Sequence, residues 1–149
     1  MKIITVGNTQ AAVIQELHAD VLQVVVPVFR TPEETTAALE FAATLSEGLN
    51  WSVRLVDVQA VPFHCTLELP PINREFSESR LQALAAAVDV PVRADLVYAR
   101  AWDEGFDRLL RPESLVVLAT RKRFWKTAEE RLAARLTRQG HHLILVECK

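Results

Sequence analysis

The sequence lacks the features that most often announce a function. No apolar run reaches the roughly 18 residues of a membrane-crossing helix. The opening Met1-Lys2-Ile3-Ile4-Thr5-Val6-Gly7 is too short for the apolar segment of a secretion signal, so a soluble cytoplasmic protein is expected. Cysteine is scarce: Cys65 and Cys148 lie far apart, outside any C-x-x-C or mixed His/Cys spacing, and read as thiols kept reduced. There is no G-x-S-x-G, P-loop, H-E-x-x-H or G-x-G-x-x-G, so the usual signs of a nucleophile elbow, a phosphate cradle and a zinc helix are missing. Neither sign of charge dominates: 17 basic and 19 acidic residues give a net charge of −2, which argues against a general nucleic-acid or membrane-surface binder. No catalytic residue, metal ligand or cofactor is assigned, and the expectation leans away from an enzyme.

What is present is apolar residue enough for one core, 50% of a chain of 149, in a length too short for two ordinary domains. Residues 1–21 read as an N-terminal extension, with Ile3 to Val6 suited to a short strand and Ala12, Val13, Ile14 and Leu17 to one side of a short helix. Residues 22–149 read as a single α/β domain. Leu22 to Phe29 is a nearly unbroken apolar run, the pattern of a central strand covered on both faces. Pro27 is an objection, since proline cannot donate to a ladder. Thr31-Pro32-Glu33-Glu34 then offers an N-cap, a first-turn proline and a capping-box acid. Ala38, Phe41, Ala42, Leu45 and Leu49 follow at helical spacing, with Gly48 and Asn50 as a stop.

Trp51 to Val58 reads as a strand, and Gln59 to Asn73, with Pro62, Pro70 and Pro71, as a long surface connection. Phe76, Leu81, Leu84, Ala85 and Val88 mark a second helix, and Val92 to Tyr98 a strand nearer the sheet edge. Trp102, Phe106, Leu109 and Leu110 mark a shorter helix closed by Arg111-Pro112, and Leu115 to Ala119 a further strand. Residues 124–139 predict a last helix, with Trp125, Ala128, Leu132 and Leu136 inward and Gly140 beyond its end. His142 to Glu147 is the final strand. Five strand-like runs alternating with four helical ones predict a doubly wound α/β fold, mainly a five-stranded parallel sheet with helices on both faces. Its ligand crevice should lie beyond the carboxyl ends of the strands starting at Val24 and Leu115, where the winding reverses.

The stretch from Leu115 to Lys126 turns from a buried-type run into a basic, aromatic loop that opens a helix. Candidate ligand residues are therefore Phe29, Arg30 and Thr31 on one side and Thr120, Arg121, Lys122, Arg123 and Lys126 on the other. Cationic side chains beside the free N–H groups of helix starts suit a small anion, and the competing reading is a solvated loop. Phe124 and Trp125 offer stacking surface, although Trp125 fits the inward stripe. Arg131, Arg135 and Arg138 are diluted by Glu129 and Glu130 and do not make a nucleic-acid surface. His141 and His142 point to opposite faces if extended, which suits ordinary imidazoles better than a metal site with Glu147 or Cys148. His64 and Cys65, as chain neighbours, lack the geometry of a base and nucleophile. Asp57 and Asp95 each fall in an apparent strand, as paired or exposed carboxylates.

The order of elements resembles the universal stress protein family over roughly residues 22–148. The matching parts are Val24-Val25-Val26-Pro27-Val28 with Thr31-Pro32-Glu33-Glu34, then Val53 to Val58, Leu115 to Leu118 with its loop, and Leu143 to Val146. The resemblance accounts for Pro27, since a proline in V-P-V context is common in that family's first strand. ATP-binding members carry an acid just after V-P-V and a pattern G-x2-G-x9-G-S/T after the fourth strand. Here Phe29 stands at the acid, Ala119 and Lys122 at the first two glycines, and Thr127-Ala128 near the third. Side chains there fill the space that backbone N–H groups need around phosphates. The resemblance implies the branch without the nucleotide motif, some members of which also carry a Phe-Trp pair. It implies a stress-related regulatory or interaction protein, often a homodimer, with no known reaction; the alternative is a protein binding ATP or AMP through a diverged motif. The apolar edge His142 to Glu147 is the expected dimer seam, because an open ladder invites pairing.

Overall fold

In the computed structural model, which describes residues 2–6, 24–49, 51–67, 72–107, 110, 114–120 and 127–148, the apolar runs become strands. They are β1 (Lys2–Val6), β2 (Val24–Pro27), β3 (Ser52–Ala60), β4 (Val92–Ala99), β5 (Leu115–Thr120) and β6 (His142–Glu147). Among the described residues three α-helices, α1 (Pro32–Leu49), α2 (Arg74–Ala86) and α3 (Thr127–Arg138), connect them, with one 3-10 turn at Asp103–Phe106. The sheet order is β1-β4-β3-β2-β5-β6. The five strands from β2 to β6 run parallel, and β1 joins the far edge antiparallel to β4. Chain order proceeds from β2 through β3 to β4 in one direction and from β5 to β6 in the other, so the winding reverses between β2 and β5.

Alternation along the strands divides the core in two. Val25, Phe29, Val53, Leu55, Leu96, Tyr98, Val117 and Ala119 face α1 and α2. Val26, Val28, Val56, Val58, Val97, Val116 and Leu118 face α3 and the 3-10 turn. Leu132 and Leu136 anchor α3, both fully buried and each contributing roughly 2 kcal/mol of apolar burial. Gly140, at φ 82°, ends that helix, and the His141 N–H donates to Leu136 O at 2.9 Å, a left-handed closure that favours glycine.

Pro27 sits in the centre of the sheet without contradiction. The Val28 N–H donates to Val117 O on β5 and the Phe29 N–H to Val56 O on β3, so donors along β2 alternate between neighbours and the one missing at Pro27 falls toward β3. There the ladder breaks after Val25↔Val53 and resumes as a bridge at Val28↔Val56.

Three expectations are corrected. The helix expected across Trp102 to Leu110 is a single 3-10 turn among the described residues. Gly105 is a poor helix former and lies so close to β3 that a Cβ there would collide with Val58. Gly48 lies inside α1 rather than stopping it, and Leu49 is exposed. In α2, Phe76 is 59% exposed and Ser77 takes the inward place. The last helix is described from Thr127, and its expected start at Phe124 and the inward Trp125 lie outside the described residues.

Candidate functional site

The carboxyl end of β2 is where the crevice was expected, and local hydrogen bonds shape it. Thr31 caps α1: its Oγ1 accepts from the Glu34 N–H at 3.3 Å, and its carbonyl accepts from the Thr35 N–H at 2.8 Å and the Thr35 hydroxyl at 2.7 Å. The Arg30 N–H donates to Thr35 Oγ1 at 3.0 Å, tying the turn between β2 and α1 to the helix it opens. Thr120, at the end of β5, is buried, and its carbonyl accepts from the Cys148 N–H at 3.0 Å. Phe29, Arg30, Thr31 and Thr120 thus gather around the ends of β2 and β5. Arg121, Lys122, Arg123 and Lys126 lie outside the described residues.

From this turn two side chains leave on opposite faces. The Phe29 ring, 9% exposed, enters the layer under α2, where the Arg80 guanidinium stacks on it at 4.3 Å and on Phe76 at 5.3 Å. The Arg30 guanidinium lies 4.6 Å from the centroid of Trp102, which in turn packs edge-on against Phe106 at 5.5 Å. Each face of the sheet therefore carries an arginine against an aromatic ring at this point, a contact that gains strength as water is excluded.

Behind Phe29 lies a polar cluster in an otherwise apolar layer. Asp57, 2% exposed, has Arg80 Nη2 at 3.6 Å from its Oδ2. Gln59 Nε2 donates to Asp57 Oδ2 at 3.1 Å and to Ser77 Oγ at 3.0 Å. Burial pushes the Asp57 carboxyl above the ordinary aspartate value, and the Gln59 hydrogen bond and the Arg80 charge pull it back only in part. Tyr98, in register with Gln59, is 1% exposed. Its hydroxyl has no hydrogen-bond partner among the described residues. Burial raises the phenol first of all, with Arg74 opposing and Asp57 and Glu78 adding to the rise. The sequence placed Asp57 in a strand but gave no sign of its partner, which comes from a helix 23 positions away.

The other polar features are structural ties. Arg100 Nη1 donates to the carbonyls of Pro62 and Cys65 at 2.7 and 2.8 Å, fastening the turn after β3. Arg135 pairs with Asp107 at 2.6 Å and Asp103 at 3.4 Å, so this arginine of α3 is spent on the 3-10 turn and the residue after it. His141 Nδ1 accepts from the Ser114 N–H at 3.3 Å, and burial lowers its pKa, with His142 adding to the effect. Cys65 and Cys148 are both thiols. Among the described residues no helix is long and apolar enough to cross a membrane.

No protein-family model matches the sequence, and no curated protein matches it significantly. Solved structures do match in shape. A universal stress protein from Archaeoglobus fulgidus superposes with a TM-score of 0.60 at 10% identity, over 89% of this chain and 99% of that one. The universal stress protein from Archaeoglobus fulgidus in complex with dAMP gives 0.57 at 12% identity, over 85% and 98%. A universal stress protein in complex with cAMP gives 0.51 at 15% identity, over 86% and 98%. With the doubly wound sheet and its reversal between β2 and β5, this likeness shows that the chain is built on the universal stress protein fold.

Proposed function

We propose that this protein is a universal stress protein-like regulatory or interaction domain, cytoplasmic and without the family's usual ATP site, that responds to a small oxyanion. One observation carries the reading. Where the chain leaves β2 toward the crevice, the buried Phe29 ring and the Arg80 guanidinium stacked on it fill space with protein groups and leave a cation at the mouth. A base and ribose need that space, whereas a phosphate-sized anion needs only the charge. The side chains of Ala119 and Lys122 in place of glycines point the same way. No reaction is proposed.

Two measurements test it. Calorimetric titration with Mg-ATP should give weak or no binding; a dissociation constant near 1 μM, about −8 kcal/mol, requires a formed phosphate cradle and would overturn the reading. Melting temperature should rise with phosphate at fixed ionic strength, and less in an Arg121→Ala/Arg123→Ala variant. The second reading, nucleotide binding through a diverged motif, is favoured by the dAMP and cAMP complexes among the similar structures. AMP or ATP released on denaturing freshly purified protein would support it.

The proposal includes a homodimer through β6, which pairs on one side only, with β5, and leaves Leu145 exposed at the sheet edge. Light scattering at about 100 μM, far above a micromolar constant, should give twice the chain mass, and a monomer there would remove this part.

A further inference from the structure

We propose that Arg80 is the arm that takes the oxyanion, and that in the free protein the buried carboxylate of Asp57 holds this arm until the anion displaces it. The proposal rests on the anion reading above and adds to it the contact residue and its internal competitor. Four observations on one side chain converge. Its pairing with Asp57 is loose, 3.6 Å from nitrogen to oxygen, longer than a charge-assisted hydrogen bond. Its Nε–H is buried without an acceptor among the described residues, so that edge of the planar fork meets no described oxygen. Its guanidinium lies on Phe29, the residue that ends the β2 side of the crevice. Its side chain is 26% exposed and covered outward by Phe76, itself largely in solvent, so an anion reaches the whole fork once the Phe76 ring swings aside, without opening the core. A tetrahedral oxyanion offers Nε and Nη two acceptors at once, the geometry arginine is built for, while the aromatic faces keep the fork flat.

Displacement has a chemical consequence. The groups around Asp57 are Gln59 on its own strand, bonded in turn to Ser77, then Arg80 from α2, itself stacked on Phe29, and Tyr98 from β4, whose hydroxyl feels Arg74 and Glu78 as well. Among them Arg80 is the cation that pairs with Asp57. When the guanidinium turns to the ligand, a buried carboxylate is left without its partner charge, and taking a proton from solvent relieves it. Anion binding is then coupled to uptake of up to one proton per site.

The test is isothermal titration with inorganic phosphate near neutral pH, at fixed ionic strength, in buffers of different protonation enthalpy, with AMP as a second probe. Wild type should take up protons on binding. Asp57→Asn, which keeps the shape and removes the competing charge, should bind about tenfold more tightly and lose the uptake. Arg80→Met, which keeps an unbranched chain against Phe29, should lose at least about tenfold in affinity. Equal affinity for phosphate and AMP marks a free oxyanion as ligand, and tighter AMP binding that also needs Arg80 marks a nucleotide phosphate. Folded Arg80→Met protein that binds as wild type overturns the assignment while leaving the anion reading intact. If Arg80→Met does not fold, unchanged affinity and uptake in Asp57→Asn overturns it instead. Absence of phosphate and AMP binding by wild type removes the anion reading and this assignment together.

Discussion

Asp57 and Asp95 occupy neighbouring rows of the same sheet, with Asp57 opposite Leu96 and Asp95 opposite Val56, yet they face opposite layers. Asp95 is fully buried and doubly held, by Arg54 Nε in direct contact and by Arg93 Nε at 3.5 Å, both arginines coming from the strands themselves. Asp57 is almost as buried, but its one cation stands at 3.6 Å on a helix and is shared with two aromatic rings. The first arrangement sets two cations, one of them in direct contact, against a buried charge, the condition under which such charges are tolerated. The second is underbalanced, and underbalanced buried charges cluster at sites that bind or react. The same residue type, one row apart, is thus a strut on one face and a candidate switch on the other.

The largest expected effect falls on the strut. Asp95→Asn should cost about 3 kcal/mol in urea unfolding, the scale of breaking a buried ion pair, while Asp57→Asn should cost well under half as much. Equal losses would mean that both carboxylates are struts. Gly105→Ala pushes a methyl group into Val58 and should cost about 2 kcal/mol by overpacking. Gly48→Ala, in α1 with nothing within 4 Å of the added Cβ, should instead stabilise by about 0.5 kcal/mol through helix propensity. Denaturant midpoints of the two variants should move in opposite directions.

How much of this was legible in the sequence depended on range. Apolar runs gave the parallel strands, the Thr31 cap gave the start of α1, and Leu132, Leu136 and Gly140 gave the inward side and end of α3, because each signal is local. Phe76 was misassigned to the core because it and Ser77 are adjacent on the helix, and hydrophobicity favoured the phenylalanine while the fold turned the serine inward to meet Gln59. The sequence singles out Phe29 and Arg30 as candidate ligand residues just beyond β2, but their opposite directions, toward Arg80 and Trp102, follow from strand alternation combined with which helix covers which face. The pairing of Asp57 with Arg80 is a contact between a strand and the following helix across a proline-bearing connection. No spacing rule encodes it.

The smallest effect is the most discriminating, because it separates a strained carboxylate from a comfortable one without any ligand. Burial raises the Asp57 pKa above the ordinary value of 3.8, so the folded protein holds this proton more tightly than the unfolded chain does. The stability that follows is therefore fully present below 3.8 and is lost as pH rises through the raised folded value. Asparagine has no such proton. The unfolding free energy of wild type minus that of Asp57→Asn should fall as pH rises across this window and then level off, whatever other groups titrate, since both proteins share them. A difference that rises with pH would mean that Arg80 more than compensates the burial, making Asp57 a second strut and leaving Arg80 too firmly held to serve as an arm. Urea unfolding at a series of pH values, with Arg80→Met/Asp57→Asn as the double variant, reads the sign directly. The total fall should be larger when Arg80→Met is compared with the double variant, because without the guanidinium only the Gln59 hydrogen bond opposes the burial of the carboxylate.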